Sequence, residues 1–190
     1  MTLYSLVLFV HVVAVLALSA TLSFEALSLF RLRLASSLSE AQRWMEPVPG
    51  LRWIAISSLV FILGSGIYLA TQMSAFGMAW PNVTIAALFL IGPFGAASGR
   101  RMRAIRSANG TGPAITSELL SRSRDPFLKI SLGIRIGVFL GIVLLMAAKP
   151  QLWISIGIVG ASVVIGLLAS VLPGARRGAT RLQRQTLENK

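Results

Sequence analysis

The sequence contains no cysteine, which excludes disulfides, thiolate metal sites, iron–sulfur ligation and thiol lipidation. Histidine is nearly as scarce. His11 is the single imidazole, so a haem held between two histidines is excluded as well. Acidic residues number 6 against 18 lysines and arginines, and no paired carboxylates suggest a catalytic cleft. Phosphate-binding loops, dinucleotide fingerprints and metal-ligand clusters are also missing, so the sequence carries no recognisable enzymatic machinery. Charged residues of both signs make up 13% of the chain, about half the share found in soluble domains.

What is abundant is apolar surface: 55% of residues are hydrophobic and mean hydropathy is +0.76. A helix needs about 20 mostly apolar residues to cross the hydrocarbon of a bilayer. Five stretches meet that need, at 3–30, 53–71, 83–98, 127–148 and 152–172. The third is the shortest, and Pro93 interrupts it; a proline removes one backbone donor and kinks a helix, which neighbouring helices tolerate. Trp53, Trp80 and Trp153 fall at expected water–lipid boundaries, where an amphipathic ring is most stable. Pro81, Pro150 and Pro173 mark turns or helix ends. The first run is too long for the apolar core of a signal peptide and lacks a basic leader, so it reads as a retained helix. The fold class is therefore all-α, a polytopic membrane bundle of five transmembrane helices over 1–175 with a basic tail at 176–190.

The net charge of +12 would suggest nucleic acid in a soluble protein, but here it is confined to gaps between apolar runs and reads as topology. Arg31, Arg33, Arg43 and Arg52 follow the first span. Arg100, Arg101, Arg103, Arg106, Arg122, Arg124 and Lys129 follow the third, and Arg176, Arg177, Arg181, Arg184 and Lys190 lie in the tail. With five spans all of these fall on one side, while only Lys149 falls on the other. Cytoplasmic loops carry the excess of Lys and Arg, so the expected orientation is N-terminus out and C-terminus in, as in a bacterial inner-membrane protein. The basic loops can also attract anionic lipid headgroups.

Between the spans, Leu34, Leu38, Ala41 and Met45 recur at helical spacing, as in a helix lying along the interface. Arg100–Arg106 extends the third helix toward Asn109-Gly110, and Pro113 opens a short helix holding Glu118. Trp80-Pro81-Asn82 and Lys149-Pro150-Gln151 correspond loosely at the turns of two similar hairpins, as an internal duplication would require.

Ionisable groups within spans face the bundle or water and generally have a partner. Glu25 and Arg135 are such groups. Glu25 lies six residues above Arg31, and Arg135 lies eight residues past Phe127, so the spacing predicts one depth and a charge-assisted hydrogen bond. Two readings stay open: an ion pair that fixes helix register, or a cavity that takes a proton, an anion or a small polar molecule. His11 lies about 12 Å below the outer surface. It can be a hydrogen-bonding or proton-relay residue, or the sole protein ligand of a haem or metal. Fourteen residues at about 100° each return His11 and Glu25 to roughly the same face, with Leu18 and Leu22 between them. Gly133, Gly137 and Gly141 form a small-residue stripe on the fourth span, a helix-packing device. Arg135 points away from that stripe, which places the fourth helix at the centre. Gly157, Gly160 and Gly166, with Gly64 and Gly66, are the expected packing counterparts.

Arg124-Asp125-Pro126, then Leu132-Gly133-Ile134-Arg135-Ile136-Gly137, then Gly141 through Ala148-Lys149-Pro150 resemble the bacterial integral-membrane family called domain of unknown function 2269. The opening Leu6–His11 run is similar too. The resemblance implies a small multi-span inner-membrane protein of no established activity, and Arg135 and Lys149-Pro150 carry over without a role. A looser likeness, to copper-resistance and haem-associated membrane proteins, rests on His11; this chain has Val10-His11 where they have Leu-His, and lacks their further histidines. Three functions follow: a solute- or proton-handling protein using Glu25 and Arg135, a haem- or quinone-binding redox protein using His11, and a structural or assembly partner without catalysis. Five helices are few for a transporter acting alone, so the first implies a homo-oligomer. Nucleic-acid binding is not expected.

Overall fold

The computed structural model describes residues 2–34, 50–107 and 126–171. Among these the chain is helical, and five helices are long and apolar enough to cross a membrane. They are α1 (Leu3–Leu34), α2 (Leu51–Gln72), α3 (Ala79–Ser107), α4 (Pro126–Ala148) and α5 (Leu152–Val171), with a short 3-10 turn at Ala75–Gly77. In hydrocarbon a backbone must satisfy its own N–H and C=O groups, so sequences this apolar have no other way to cross. The proposed interfacial helix beyond Leu34, the short helix after Pro113 and the tail at 176–190 lie outside the described residues.

Two helix edges differ from the expected spans. α1 runs four residues past Phe30, because Arg31 and Leu32 are good helix formers and leaving the apolar zone does not end a helix. α3 is 29 residues long rather than the shortest of the five. Pro81 sits in its first turn, where a missing N–H costs no hydrogen bond. Pro93 is absorbed in mid-helix, and the arginine run carries the helix on to Ser107. The loop expected over 72–82 is thereby reduced to Met73–Met78. Trp80-Pro81-Asn82 is helical while Lys149-Pro150-Gln151 is a connection, so the two triplets do not correspond. What the hairpins share is a left-handed residue soon after the first helix of each, Ser74 at φ 50° and Lys149 at φ 47°.

α4 is the hub. It packs against α5, α3 and α1, while α2 rests on α1. Half of its apolar window is buried inside the protein, against at most 28% in the other helices. One apolar core lies between α1, α2 and α4 around Leu18, Leu22, Ile62 and Leu132. A second lies between α3 and α4 around Ala87, Ile91, Val138 and Ile142.

The glycine stripe of α4 meets α5 backbone to backbone. A Cβ on Gly133 would run into the Gly166 carbonyl and the Ser170 hydroxyl, and one on Gly137 into the Ser162 carbonyl. A Cβ on Gly141 would lie 2.6 Å from Ser162 Oγ. The α5 counterpart is the row Ser162, Gly166 and Ser170, one residue per turn. Of the expected counterparts only Gly166 belongs to it; Gly64, Gly157 and Gly160 have nothing within 4 Å, and Gly66 meets His11 instead. Serine is small enough to serve in such a row, and a search for glycines alone passes over it. Ser170 Oγ also donates to the Gly166 carbonyl at 2.7 Å and lies 3.1 Å from the Lys129 carbonyl across the interface.

Candidate functional site

α1 and α4 lie antiparallel, and their sequences set the depth of two charges. Glu25 is nine residues from the end of α1 at Leu34, and Arg135 is nine residues from the start of α4 at Pro126. At 1.5 Å per residue each lies about 14 Å from the basic end of its helix. The structure brings the head groups together: Arg135 Nη1 donates to both Glu25 oxygens, at 2.8 Å each. The side chains differ in access, with Arg135 9% exposed and Glu25 31%. A lone charge at the centre of a spanning helix costs about 2.5–3.5 kcal/mol on insertion scales, and pairing reduces that cost on both helices.

The pairing leaves most of the guanidinium unused. A guanidinium has five N–H donors in a fixed fork, and the bonds of Arg135 to the carboxylate run through Nη1 alone. Nε is buried with no acceptor among the described residues. Gly95 of α3 explains why this edge stays open. A Cβ on Gly95 would lie 3.5 Å from Cζ, 3.5 Å from Nε and 3.7 Å from Nη2. Near-equal distances to three atoms of one planar group place Gly95 over its flat face. α3 thus covers the face with backbone, while Nε on the remaining edge meets no acceptor among the described residues.

One turn toward the basic end, a serine relay continues the polar seam between α3 and α4. Ser98 Oγ donates to Ser131 Oγ at 2.7 Å, and Ser131 Oγ donates to the Phe94 carbonyl at 3.0 Å. Ser131 is fully buried.

His11 belongs to a different contact. Its Nδ1 is 2.9 Å from Ser65 Oγ on α2, and the Ser65 hydroxyl donates to the Phe61 carbonyl. A hydroxyl has one proton, so Ser65 accepts from the imidazole, and Nδ1 carries the hydrogen. Gly66 gives the ring room, since a Cβ there would lie 3.4 Å from Cε1. His11 is buried, as are Leu18 and Leu22 below it. Fourteen residues, about 21 Å of helix rise, separate it from Glu25, so the two do not share a site. The hydrogen bond between His11 and Ser65 links α1 to α2. Among the described residues no group of three or more histidines and acids could hold a metal ion.

Trp80 corrects an expectation. Trp53 and Trp153 are exposed, but Trp80 is buried against Ala70 and Ala75, with Met146 packed on the same cluster. Its position inside α3 turns it into the bundle instead of toward the lipid boundary. Its Nε1 and the Thr84 hydroxyl one turn on are buried without a hydrogen-bond partner among the described residues.

Gly95, Ser98 and Ser131 were not expected in the site. The available signal was one-turn spacing: Ser131 precedes Arg135 by four residues, and Gly95 precedes Ser98 by three. Small residues of that kind are common in membrane helices, so the spacing gains meaning only once Arg135 is seen against α3. No family model, curated protein or solved structure matches the chain.

Proposed function

We propose that this multi-pass membrane protein handles a small polar solute, whether a proton, an anion or a small polar molecule, at Glu25 and Arg135. The observation that carries this reading is the buried Arg135 Nε, which has no acceptor among the described residues. An arginine whose whole task is to neutralise Glu25 is best held by two parallel bonds from two nitrogens. Here one nitrogen takes both oxygens, and a buried donor left unmade costs about 1–3 kcal/mol. A bound acceptor recovers that cost; a purely structural ion pair has no use for the open edge.

The basic gaps support an N-out, C-in orientation in a bacterial inner membrane, in contact with anionic lipid headgroups. Membership of the family that the α4 block resembles fits this placement and adds no activity. A reporter active only in the cytoplasm should function when fused after Lys190, and one inserted at Ser74 should be silent. Equal signals from both would refute the orientation.

The solute reading is tested by thermal unfolding of purified protein in detergent with acetate, phosphate or acetamide. A solute that occupies the site at about 100 times its Kd stabilises by about 2.7 kcal/mol. Arg135→Lys keeps the charge and removes the Nε edge, so the stabilisation should vanish in that variant. A set of solutes without effect on the wild type, or with the same effect on Arg135→Lys, would end the proposal.

A further inference from the structure

We propose that the solute is a monocarboxylate and that it enters together with one proton, which Glu25 takes up. This rests on the solute-handling reading and assigns its chemical class. The first premise is shape. Nε–H and Nη2–H form the planar two-donor edge that fits the two oxygens of a carboxylate. That edge has no acceptor at Nε, and Gly95 covers only the face of the group.

The second premise is charge. Arg135 and ionised Glu25 sum to zero, so another carboxylate on the same guanidinium would leave an uncompensated buried negative charge, which a low-dielectric site resists. Protonation of Glu25 removes that excess. The proton goes from solution to one Glu25 oxygen, the carboxylate takes the vacated ionic role at Arg135, and net charge is conserved at zero. Access agrees with this division: Glu25 is 31% exposed and Arg135 9%, so the acid is the less enclosed member of the pair.

Among the described residues, other cations stand too far off to replace this coupling. On α4, Lys129 is six residues from Arg135, and on α1, Arg31 is six residues from Glu25; each is about 9 Å of rise away. Arg52 lies in the first turn of α2. On α3, Arg101 lies six residues past Gly95 with its guanidinium over the Phe127 ring at 3.9 Å, and Arg100 precedes it. Arg31, Arg101 and Lys129 each have contacts of their own.

Calorimetric titration of the detergent-solubilised protein with acetate, repeated in buffers of different ionisation enthalpy, counts the protons bound. About one proton should be taken up per acetate near neutral pH, and affinity should fall up to tenfold per unit of rising pH because binding consumes a proton. Glu25→Gln, neutral at every pH, should bind acetate with no uptake and no pH dependence. Octanoate binding at least tenfold tighter than acetate would identify an acyl-chain acid from the lipid phase as the source, and equal affinity a water-borne acid; either sustains the proposal if the proton count holds. Binding of acetate without proton uptake by the wild type would overturn the proposal. Binding of acetamide but of neither acid would overturn it and leave the solute-handling reading standing. Failure of all three solutes to bind would defeat both. The wild-type proton count decides the matter even if Glu25→Gln does not fold.

Discussion

Glu25→Gln and Arg135→Gln each lower the melting temperature of the purified protein, and the double variant recovers part of the loss. The two single effects are unequal because access is unequal. Glu25→Gln leaves a cation that is 9% exposed without its counter-charge, and breaking a buried pair from one side costs about 3–5 kcal/mol. Arg135→Gln leaves a carboxylate that is 31% exposed and so less enclosed than the guanidinium, and its loss should be the smaller of the two. For a chain of this size each kcal/mol moves the midpoint by about 2–4 °C. Glu25→Gln should therefore melt about 6–20 °C lower, on that conversion, if the full penalty is felt. Coupling in the double-mutant cycle should reach about 0.5–3 kcal/mol. Additive losses, or a larger effect from Arg135→Gln, would show that the contact does not carry the energy assigned to it.

The depth of this pair was legible from the sequence because it rests on two quantities that a sequence contains: residue counts to the basic flanks, and the scarcity of acids within the spans. Helix boundaries were less legible. Hydropathy marks where a helix leaves lipid, whereas a helix ends where its backbone bonding ends, so α1 runs on past Phe30 and α3 begins four residues before its apolar span, while the continuation of α3 through Arg100–Arg106 was legible. The centrality of α4 could be read because Arg135 and the glycine stripe occupy opposite faces of one helix. The open edge of Arg135 could not. It depends on how the guanidinium turns toward Glu25 and on which face Gly95 of α3 covers, and both are products of packing between helices. Trp80 shows the same limit, since its ring chemistry suits a lipid boundary and its place inside α3 buries it.

The α4–α5 interface should be the least forgiving surface of the protein. Gly137→Leu places a branched side chain where a single Cβ already collides with the Ser162 backbone. A backbone carbonyl cannot swing aside as a side chain can, so α5 must move away as a unit. That movement would separate Gly133 from Gly166 and pull Ser170 Oγ from the Lys129 carbonyl, 3.1 Å away across the same interface. Overpacking a well-fitted interior costs about 1–3 kcal/mol and occasionally more, and the absence of any flexible neighbour puts this case at the upper end. The expected drop in melting temperature in detergent is about 6–12 °C. Gly157→Ala supplies the matched control: it lies on α5 with nothing within 4 Å of a new Cβ. Exchanging glycine for alanine in a helix interior gains up to about 1 kcal/mol, so that variant should melt at or slightly above the wild type. α5 packs chiefly on α4, with a smaller contact to α3, so the loss falls mainly on the face that meets α4. An unchanged midpoint for Gly137→Leu would mean that α5 does not sit on this stripe, and equal losses for both variants would mean that any added bulk on these helices is harmful, wherever it points.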